Sequence, residues 1–89
     1  MVDYPMPTIL RIDGQRVVIY PNDHSPEHVH VIGTDREAVF ELHCPEGPVT
    51  LRESLGFTTR QVRHLMDRLN VALLELCRAW ENIHESDRH

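Results

Sequence analysis

The residues of this chain that could do chemistry concentrate in one short segment near its middle. Residues 22–30 are Asn-Asp-His-Ser-Pro-Glu-His-Val-His. Side chains at positions i and i+2 of a β-strand point to the same face, so His28 and His30 direct both imidazoles to one side. Together with His24 from the preceding loop, they predict a site for zinc or a similar divalent ion that imidazole nitrogen binds well.

The same segment supports two other interpretations. A histidine beside a carboxylate can transfer protons near neutral pH, so His28 or His30 is a candidate general acid or base, oriented by Asp23 or Glu41. The exposed face of an antiparallel sheet is also ordinarily polar, and in that case these residues serve structure alone. The candidate catalytic residues are therefore Asp23, His24, His28, His30 and Glu41.

A second candidate site is a group of arginines near the start of a predicted helix. Arg60, Arg63 and Arg68 lie within the first three turns of that helix. Cations at a helix N-terminus oppose the helix dipole, so an anionic group is expected nearby. That group is either a carboxylate of the protein, such as Asp67 four residues after Arg63, or a bound phosphate. A solvated helix face with local ion pairs is the alternative.

Two β-hairpins are predicted from alternating apolar residues and the turns between them. The β-branched runs 8–12 and 16–20 flank Asp13-Gly14, a pair that favours a two-residue hairpin turn. Residues 28–32 and 37–43 alternate on either side of a turn at 33–36. Residues 49–52 fit a short fifth strand.

The second hairpin can be given a register. A four-residue loop at 33–36 places His30 opposite Val39 and His28 opposite Glu41. One face of the hairpin is then apolar and must lie under a helix, and the other carries imidazoles and carboxylates. The residues of the apolar face are Val29, Val31, Ala38, Phe40 and Leu42; those of the polar face are His28, His30, Glu37, Glu41 and His43.

The last third of the chain predicts one long amphipathic helix. Thr58 can cap its start, and Gln61 three residues later completes a capping box. Apolar residues then recur at helical spacing from Val62 to Ile83, roughly six turns at 3.6 residues per turn. The predicted fold class is α+β: an antiparallel sheet of four to five strands with one long C-terminal helix packed on one face.

Composition limits where the protein works and what it binds. The chain has 89 residues and a net charge of −5, and all nine of its basic residues are arginine, so nucleic acid would need a local patch. We expect a single domain over residues 1–89, with a frayed tail at 86–89. No apolar run approaches the roughly 20 residues of a membrane span, and no signal peptide is recognisable, so a cytoplasmic protein is expected. Cys44 and Cys77 do not form a C-x-x-C pair and are interpreted as free thiols, with a bridge between them as the alternative.

Three segments carry a resemblance to a known family. They are Met6-Pro7-Thr8-Ile9, the string Asn22-Asp23-His24-Ser25-Pro26-Glu27-His28-Val29-His30, and the helix that follows Gly56-Phe57-Thr58 and ends near Trp80. Together they resemble a small prokaryotic family of unknown function numbered 4160. Residues 1–5 precede the usual start of that family and are interpreted as an N-terminal extension. Glu27 stands where members of the family usually carry a second proline.

The resemblance implies a function more through gene neighbourhood than through chemistry. Such proteins are often encoded beside a second small protein in a toxin–antitoxin-like pair, in which this chain resembles the toxin and its partner the antitoxin. The expectation is a toxin-like protein that acts on RNA through its His, Asp and Glu side chains, with Arg60, Arg63 and Arg68 available to bind phosphate. Two alternatives stay open: a small histidine-rich metal-binding module, and a non-enzymatic protein that docks its neighbour through the polar face or through Val71 and Leu74.

Overall fold

Five strands form one antiparallel sheet, and two helices pack against one of its faces. The computed structural model describes residues 8–85, so the predicted extension at 1–5 and tail at 86–89 lie outside the described residues. The elements are β1 Thr8–Ile12, β2 Gln15–Val18, β3 His28–Gly33, β4 Arg36–Glu41, β5 Thr50–Leu55, α1 Thr59–Val71 and α2 Leu73–Glu85. The strands are neighbours in chain order, β1-β2-β3-β4-β5. The α+β class is therefore as predicted, and the sheet has five strands.

Two tight turns connect the paired strands. Asp13 and Gly14 have φ values of 51° and 85°, the left-handed backbone that a two-residue hairpin turn between twisted strands requires. The second turn is shorter than predicted, because Gly33 pairs with Arg36 and leaves only residues 34 and 35 in the loop. Both hairpins lie where the sequence predicts them.

The predicted register of the second hairpin is confirmed. His30 lies opposite Val39 and His28 opposite Glu41. The apolar face of this hairpin is fully buried against the helices. The sheet contributes Val17, Ile19, Val29, Val31, Ala38, Phe40 and Leu42 to the core, and the helices contribute Val62, Leu65, Leu69, Leu73, Leu76 and Trp80.

The predicted long C-terminal helix is loosely matched, because it is divided at Ala72 into α1 and α2. The predicted capping box is present: the Thr58 hydroxyl accepts from the Gln61 amide, and the Gln61 side chain accepts from the Thr58 amide. Ala72 has φ −95° and ψ 14°, which ends α1. Its carbonyl accepts from Leu76, which starts α2. A break of one residue leaves the apolar stripe nearly in phase, so periodicity could not reveal it.

The interpretation of the two cysteines as free thiols is also wrong. Cys44, in the loop after β4, and Cys77, in α2, form a disulfide bond with their Cα atoms 5.8 Å apart. The fold brings together two residues 33 positions apart in sequence, and spacing alone does not predict such a contact. The bond fixes the middle of α2 to the sheet. In residues 8–85, neither helix is long and apolar enough to cross a bilayer.

Candidate metal centre

Three backbone contacts hold the histidine-rich loop between β2 and β3. The amide of Asp23 donates to the carbonyl of Tyr20 at 3.0 Å, which closes a turn at the loop's start. The amide of Leu42 donates to the carbonyl of Glu27 at 3.0 Å, which ties the loop's end to the segment after β4. From α2, Nε2 of His84 lies 2.8 Å from the carbonyl oxygen of Asp23, and Nδ1 of the same ring lies 2.9 Å from the carbonyl oxygen of Trp80. The sheet and α2 therefore both position Asp23 and the start of β3.

His28 is oriented by its own loop. Its Nδ1 lies 2.7 Å from the carbonyl oxygen of Pro26, and because a carbonyl can only accept, Nδ1 carries the proton. In the neutral ring, Nε2 is then left with a lone pair, and it lies 3.2 Å from Oδ2 of Asp23. The two-residue spacing between Pro26 and His28 thus fixes which nitrogen of His28 is free.

His30 is oriented by a strand neighbour. Its Nδ1 lies 3.1 Å from Oε2 of Glu37, and its Nε2 lies 3.0 Å from Oδ2 of Asp23. Glu37 is two residues from Val39, the direct partner of His30, and a long side chain reaches this diagonal position on one face of a sheet. With Nδ1 donating to Glu37, a neutral His30 also presents the lone pair of Nε2 to Asp23.

The ligand atoms of Asp23, His28 and His30 therefore converge. All three lie within 4.8 Å of one another. Ligand atoms that lie about 2.0–2.2 Å from a tetrahedral zinc ion are about 3.3–3.6 Å apart, slightly farther than the 3.2 and 3.0 Å from the two Nε2 atoms to Asp23. The other ring nitrogen of each imidazole faces a carbonyl or carboxylate, the usual outer contact of a metal-bound histidine.

The site is less exposed than the sequence predicts. The ring of His28 should face solvent, but its residue is only 5% exposed. Trp80 of α2 lies over it, with ring centroids 5.3 Å apart, and stacks on its other side against His84 at 3.9 Å. The side chains of His30 and Asp23 retain 16% and 22% of their exposure. The part of the site that solvent reaches is therefore formed by His30 and Asp23, while His28 is buried.

Tyr20 lies beside this accessible part of the site. Its ring meets the ring of His30 edge to face, with centroids 4.7 Å apart. Burial raises the pKa of the Tyr20 phenol above its ordinary value of 10.0, and the negative charges of Glu37 and Asp23 raise it further against the opposing effect of Arg16. The phenol therefore stays protonated and neutral beside the site.

Two of the three predicted metal ligands lie together, and the third does not join them. His28 and His30 belong to the group, but the third member among residues 8–85 is Asp23, and His24 is exposed and outside it. His24 instead lines an open cavity of about 630 Å³ with Pro21, Asn22, Asp23 and His84. Residue type favoured His24 as a ligand, whereas the turn at Tyr20 directs the preceding Asp23 toward the strand.

Of the two carboxylates predicted to orient the histidines, Asp23 contacts both rings and Glu41 contacts neither. Glu41 lies opposite His28 in the register, yet its carboxylate lies 3.8 Å from His43 and 3.5 Å from Arg52. Glu37 makes a second carboxylate contact with His30. The diagonal rule for paired strands could have found Glu37 from the sequence. The contributions of Trp80 and His84 depend on contacts between α2 and the loop, which residue spacing does not predict.

The arginines lie in a different part of the molecule from the histidines. Arg60, Arg63 and Arg68 are exposed on α1, and among the described residues no ion pair involves them. Arg60 lines a cavity of about 350 Å³ with Phe57, His64 and Asp13, and Nε2 of His64 lies 2.8 Å from Oδ2 of Asp13. The helix that contacts the histidine loop is α2, through Trp80 and His84.

Comparison with known proteins bears on the whole of this region. Curated proteins and solved structures give no match to the chain. A family model described as "Domain of unknown function (DUF4160)" matches residues 14–81, which include Asp23, His28, His30 and Trp80. Because the match extends over most of the chain, the protein belongs to this family of domains of unknown function.

Proposed function

We propose that the protein binds one divalent metal ion of the zinc class through Asp23 Oδ2, His28 Nε2 and His30 Nε2. The observation that carries the proposal is the pair of anchored imidazoles. Nδ1 of His28 donates to a carbonyl and Nδ1 of His30 faces the carboxylate of Glu37, and when each ring carries its proton on Nδ1, both Nε2 lone pairs face one oxygen of Asp23. Those nitrogen atoms lie 3.2 and 3.0 Å from the oxygen, and such electron-rich pairs repel unless a cation lies between them.

The competing explanation of the same contacts is that both Nε2 atoms carry protons. His28 would then be an imidazolium, His30 would carry a proton on Nε2 in either its neutral or its charged form, and both would donate to Asp23 without a metal. His28 argues against this state, because a charged ring that is 5% exposed and covered by Trp80 is costly to desolvate. A divalent ion bound by two imidazoles and one carboxylate keeps further coordination positions open, where it can activate water or polarise a substrate.

Zinc titration of metal-stripped protein without a polyhistidine tag tests the proposal. We expect one zinc per chain, measured by calorimetry and by competition with a chromophoric chelator. Asp23→Asn and His30→Gln each remove a ligand atom that carries charge or a lone pair directed at the ion. The zinc affinity of each variant should fall more than about 100-fold, which exceeds the 10–100-fold loss that follows removal of an outer contact.

Two matched controls separate this site from the alternatives. His24→Ala removes the neighbouring exposed histidine, and R60A/R63A/R68A removes the arginines of α1; both should bind zinc like the wild type. Wild-type protein that takes up no zinc, or Asp23→Asn protein that binds as tightly as wild type, would contradict the proposal. A loss of binding in His24→Ala would return the site to the ligand set predicted from the sequence.

A second candidate function is metal-independent acid–base action on RNA by a toxin-like protein. It is favoured by His30, whose ring lies between the carboxylates of Asp23 and Glu37, an arrangement suited to proton transfer. In this case expression without the small partner protein should arrest growth, and His30→Gln should relieve the arrest. RNA cleavage by the purified protein should also persist in a metal chelator. Normal growth on wild-type expression would remove this candidate.

The antitoxin-like partner remains a prediction of its own. Val71 and Leu74 are the features that support it, since both are large apolar side chains exposed where α1 meets α2. Co-purification with the product of the neighbouring gene, compared between wild type and Val71→Asp/Leu74→Asp, measures the contact. Equal recovery with both proteins would count against this docking surface.

A further inference from the structure

The disulfide bond lies on the element that completes the candidate metal centre. Cys77 and Trp80 are one turn apart on α2, and the bond joins Cys77 to Cys44 in the loop after β4. One turn beyond Trp80, His84 makes the contact to the carbonyl of Asp23. The helix α2 therefore carries Cys77 of the disulfide, Trp80 that packs against His28, and His84 that contacts Asp23.

We propose that the Cys44–Cys77 disulfide is a redox control on metal binding at Asp23, His28 and His30. This inference rests on the proposed metal centre. With the bond intact, α2 keeps Trp80 against His28 and His84 against the loop, so the three ligand atoms are held together before the ion arrives. With the bond reduced, α2 is held by packing and by the contact of His84 with Asp23 but has no covalent link, and the ligand atoms lose part of this preorganisation.

The sulfur atoms are placed where a reductant can reach them. Cys44 and Cys77 are both partly exposed, and both line an open cavity of about 430 Å³ that Leu74 and Trp80 also border. A structural disulfide sealed in the core would offer no such access. Trp80, whose ring contacts that of His28, lines this cavity together with both cysteines, so the same side chain adjoins the bond and the site.

Reduction by a dithiol balances without any further reactant. A thiolate of the dithiol attacks one sulfur of the bond, which breaks and releases the other cysteine as a thiolate that takes up a proton. The second thiol of the reductant loses its proton and attacks the mixed disulfide, which releases the remaining cysteine. The dithiol is oxidised to a disulfide, and Cys44 and Cys77 become thiols.

The response should be a weakening of metal binding, with the fold retained. Leu73, Leu76 and Trp80 remain buried against the sheet and keep α2 in place after the bond opens. The loss therefore resembles the removal of outer contacts from a metal site, which lowers affinity about 10–100-fold. We expect a zinc affinity about tenfold lower in the reduced protein.

The test compares zinc affinity with and without the bond, in protein that has no free thiols to bind zinc. Oxidised wild type is compared with C44S/C77S, and with wild type that has been reduced, alkylated and freed of reagents. C44S/C77S and the alkylated wild type should both bind zinc about tenfold more weakly than oxidised wild type. Reduction and alkylation of C44S/C77S should not change its zinc affinity further. Equal affinity in all samples overturns the redox control and leaves the metal centre standing. Oxidised wild type that binds no zinc removes the metal centre itself, and the redox control with it.

A second variant keeps the inference testable if C44S/C77S does not fold. His84→Ala retains the disulfide and cuts the link from α2 to Asp23, so its oxidised form should bind zinc about tenfold more weakly and respond less to reduction. Glu75→Ala, an exposed change on the same helix, should match wild type in both states. His84→Ala protein with wild-type affinity and a wild-type redox response would overturn the route through α2.

Discussion

The histidine centre and the arginine face of α1 are both groups of functional side chains, but only one of them is built into the fold. Asp23, His28 and His30 are held by contacts from their own loop, from β4 and from α2. Arg60 and Arg63 project from a single helix into solvent, with no ion pair among the described residues. The ligand atoms of the first group are held in place and converge on one point. The arginine side chains merely lie on the same helix.

The difference shows what converts suitable residues into a site. Long flexible side chains on one helix face lose rotamer entropy when they bind an anion, because nothing holds them beforehand. The imidazoles of His28 and His30 already have one nitrogen each committed to an acceptor, so much of that cost is met on folding. We therefore expect substitutions around the histidine centre to affect both stability and binding, and substitutions on the arginine face to affect neither strongly.

The largest contrast is expected from Trp80→Ala. Trp80 is buried between His28 and His84, and truncation of a large buried aromatic residue costs about 3–5 kcal/mol of folding free energy. Arg63→Ala on the exposed face should stay within about 0.5 kcal/mol of wild type. Chemical denaturation of both variants, followed by far-UV circular dichroism, measures the two values under the same oxidising conditions.

The same pair of variants can break the comparison. A cost for Arg63→Ala similar to that for Trp80→Ala would mean that the arginine face is also part of the folded framework. Trp80→Phe is the conservative control, since it keeps an aromatic ring over His28 and should lose much less stability than the alanine variant.

Thr58→Ala should produce a smaller effect confined to the arginine side. The variant removes the hydroxyl that accepts from the Gln61 amide, and loss of such a cap costs about 1 kcal/mol. The start of α1, which carries Arg60 and Arg63, should fray, while zinc affinity stays unchanged because the centre depends on α2. Helicity, unfolding free energy and zinc titration check the three statements, with Thr59→Ala as the neighbouring control. A drop in zinc affinity in Thr58→Ala would show that the two regions are coupled.

The sequence predicted the parts of this molecule that depend on local pattern. Alternation and the Asp13-Gly14 pair predicted the hairpins, and the register of His30 with Val39 followed from the apolar face. These features are readable because a strand has only two faces, and a slip of one residue would bury polar groups. The capping box at Thr58 and Gln61 was readable for the same reason, since its two bonds lie within four residues.

The parts that depend on long-range contact were missed. Three contacts made by α2, which are the disulfide at Cys77, the ring contact of Trp80 with His28 and the contact of His84 with the loop at Asp23, join residues far apart in the sequence. Helical periodicity and residue spacing do not encode such contacts, so they could not be derived. The choice of Asp23 over His24 was missed because a turn, rather than residue type, decides which neighbour points inward.

The smallest expected effect concerns the proton of Tyr20 beside the histidine centre. Burial and then Glu37 raise the pKa of this phenol, so the folded protein holds the proton to higher pH than the unfolded chain does. The contribution of this proton to stability is complete below the ordinary value of 10.0 and is lost as pH rises from there through the higher pKa of the folded state. Stability should therefore fall with increasing pH in this alkaline range, in part because of Tyr20.

Glu37→Gln separates the two causes of this shift. The variant removes the negative charge but not the burial, so the pKa of Tyr20 should fall toward 10.0 and remain above it, because burial is the larger cause. Tyrosinate absorbance in a Tyr4→Phe background, recorded in a metal chelator, isolates the phenol of Tyr20. Glu53→Gln serves as the control. Glu53 lies on β5 directly opposite Val39, and this variant should leave the titration of Tyr20 unchanged. If Tyr20 titrates at 10.0 in otherwise wild-type protein, its ring is solvated and His30 is more exposed to solvent than its contacts indicate. The histidine centre would then resemble the solvent-exposed arginine face more closely.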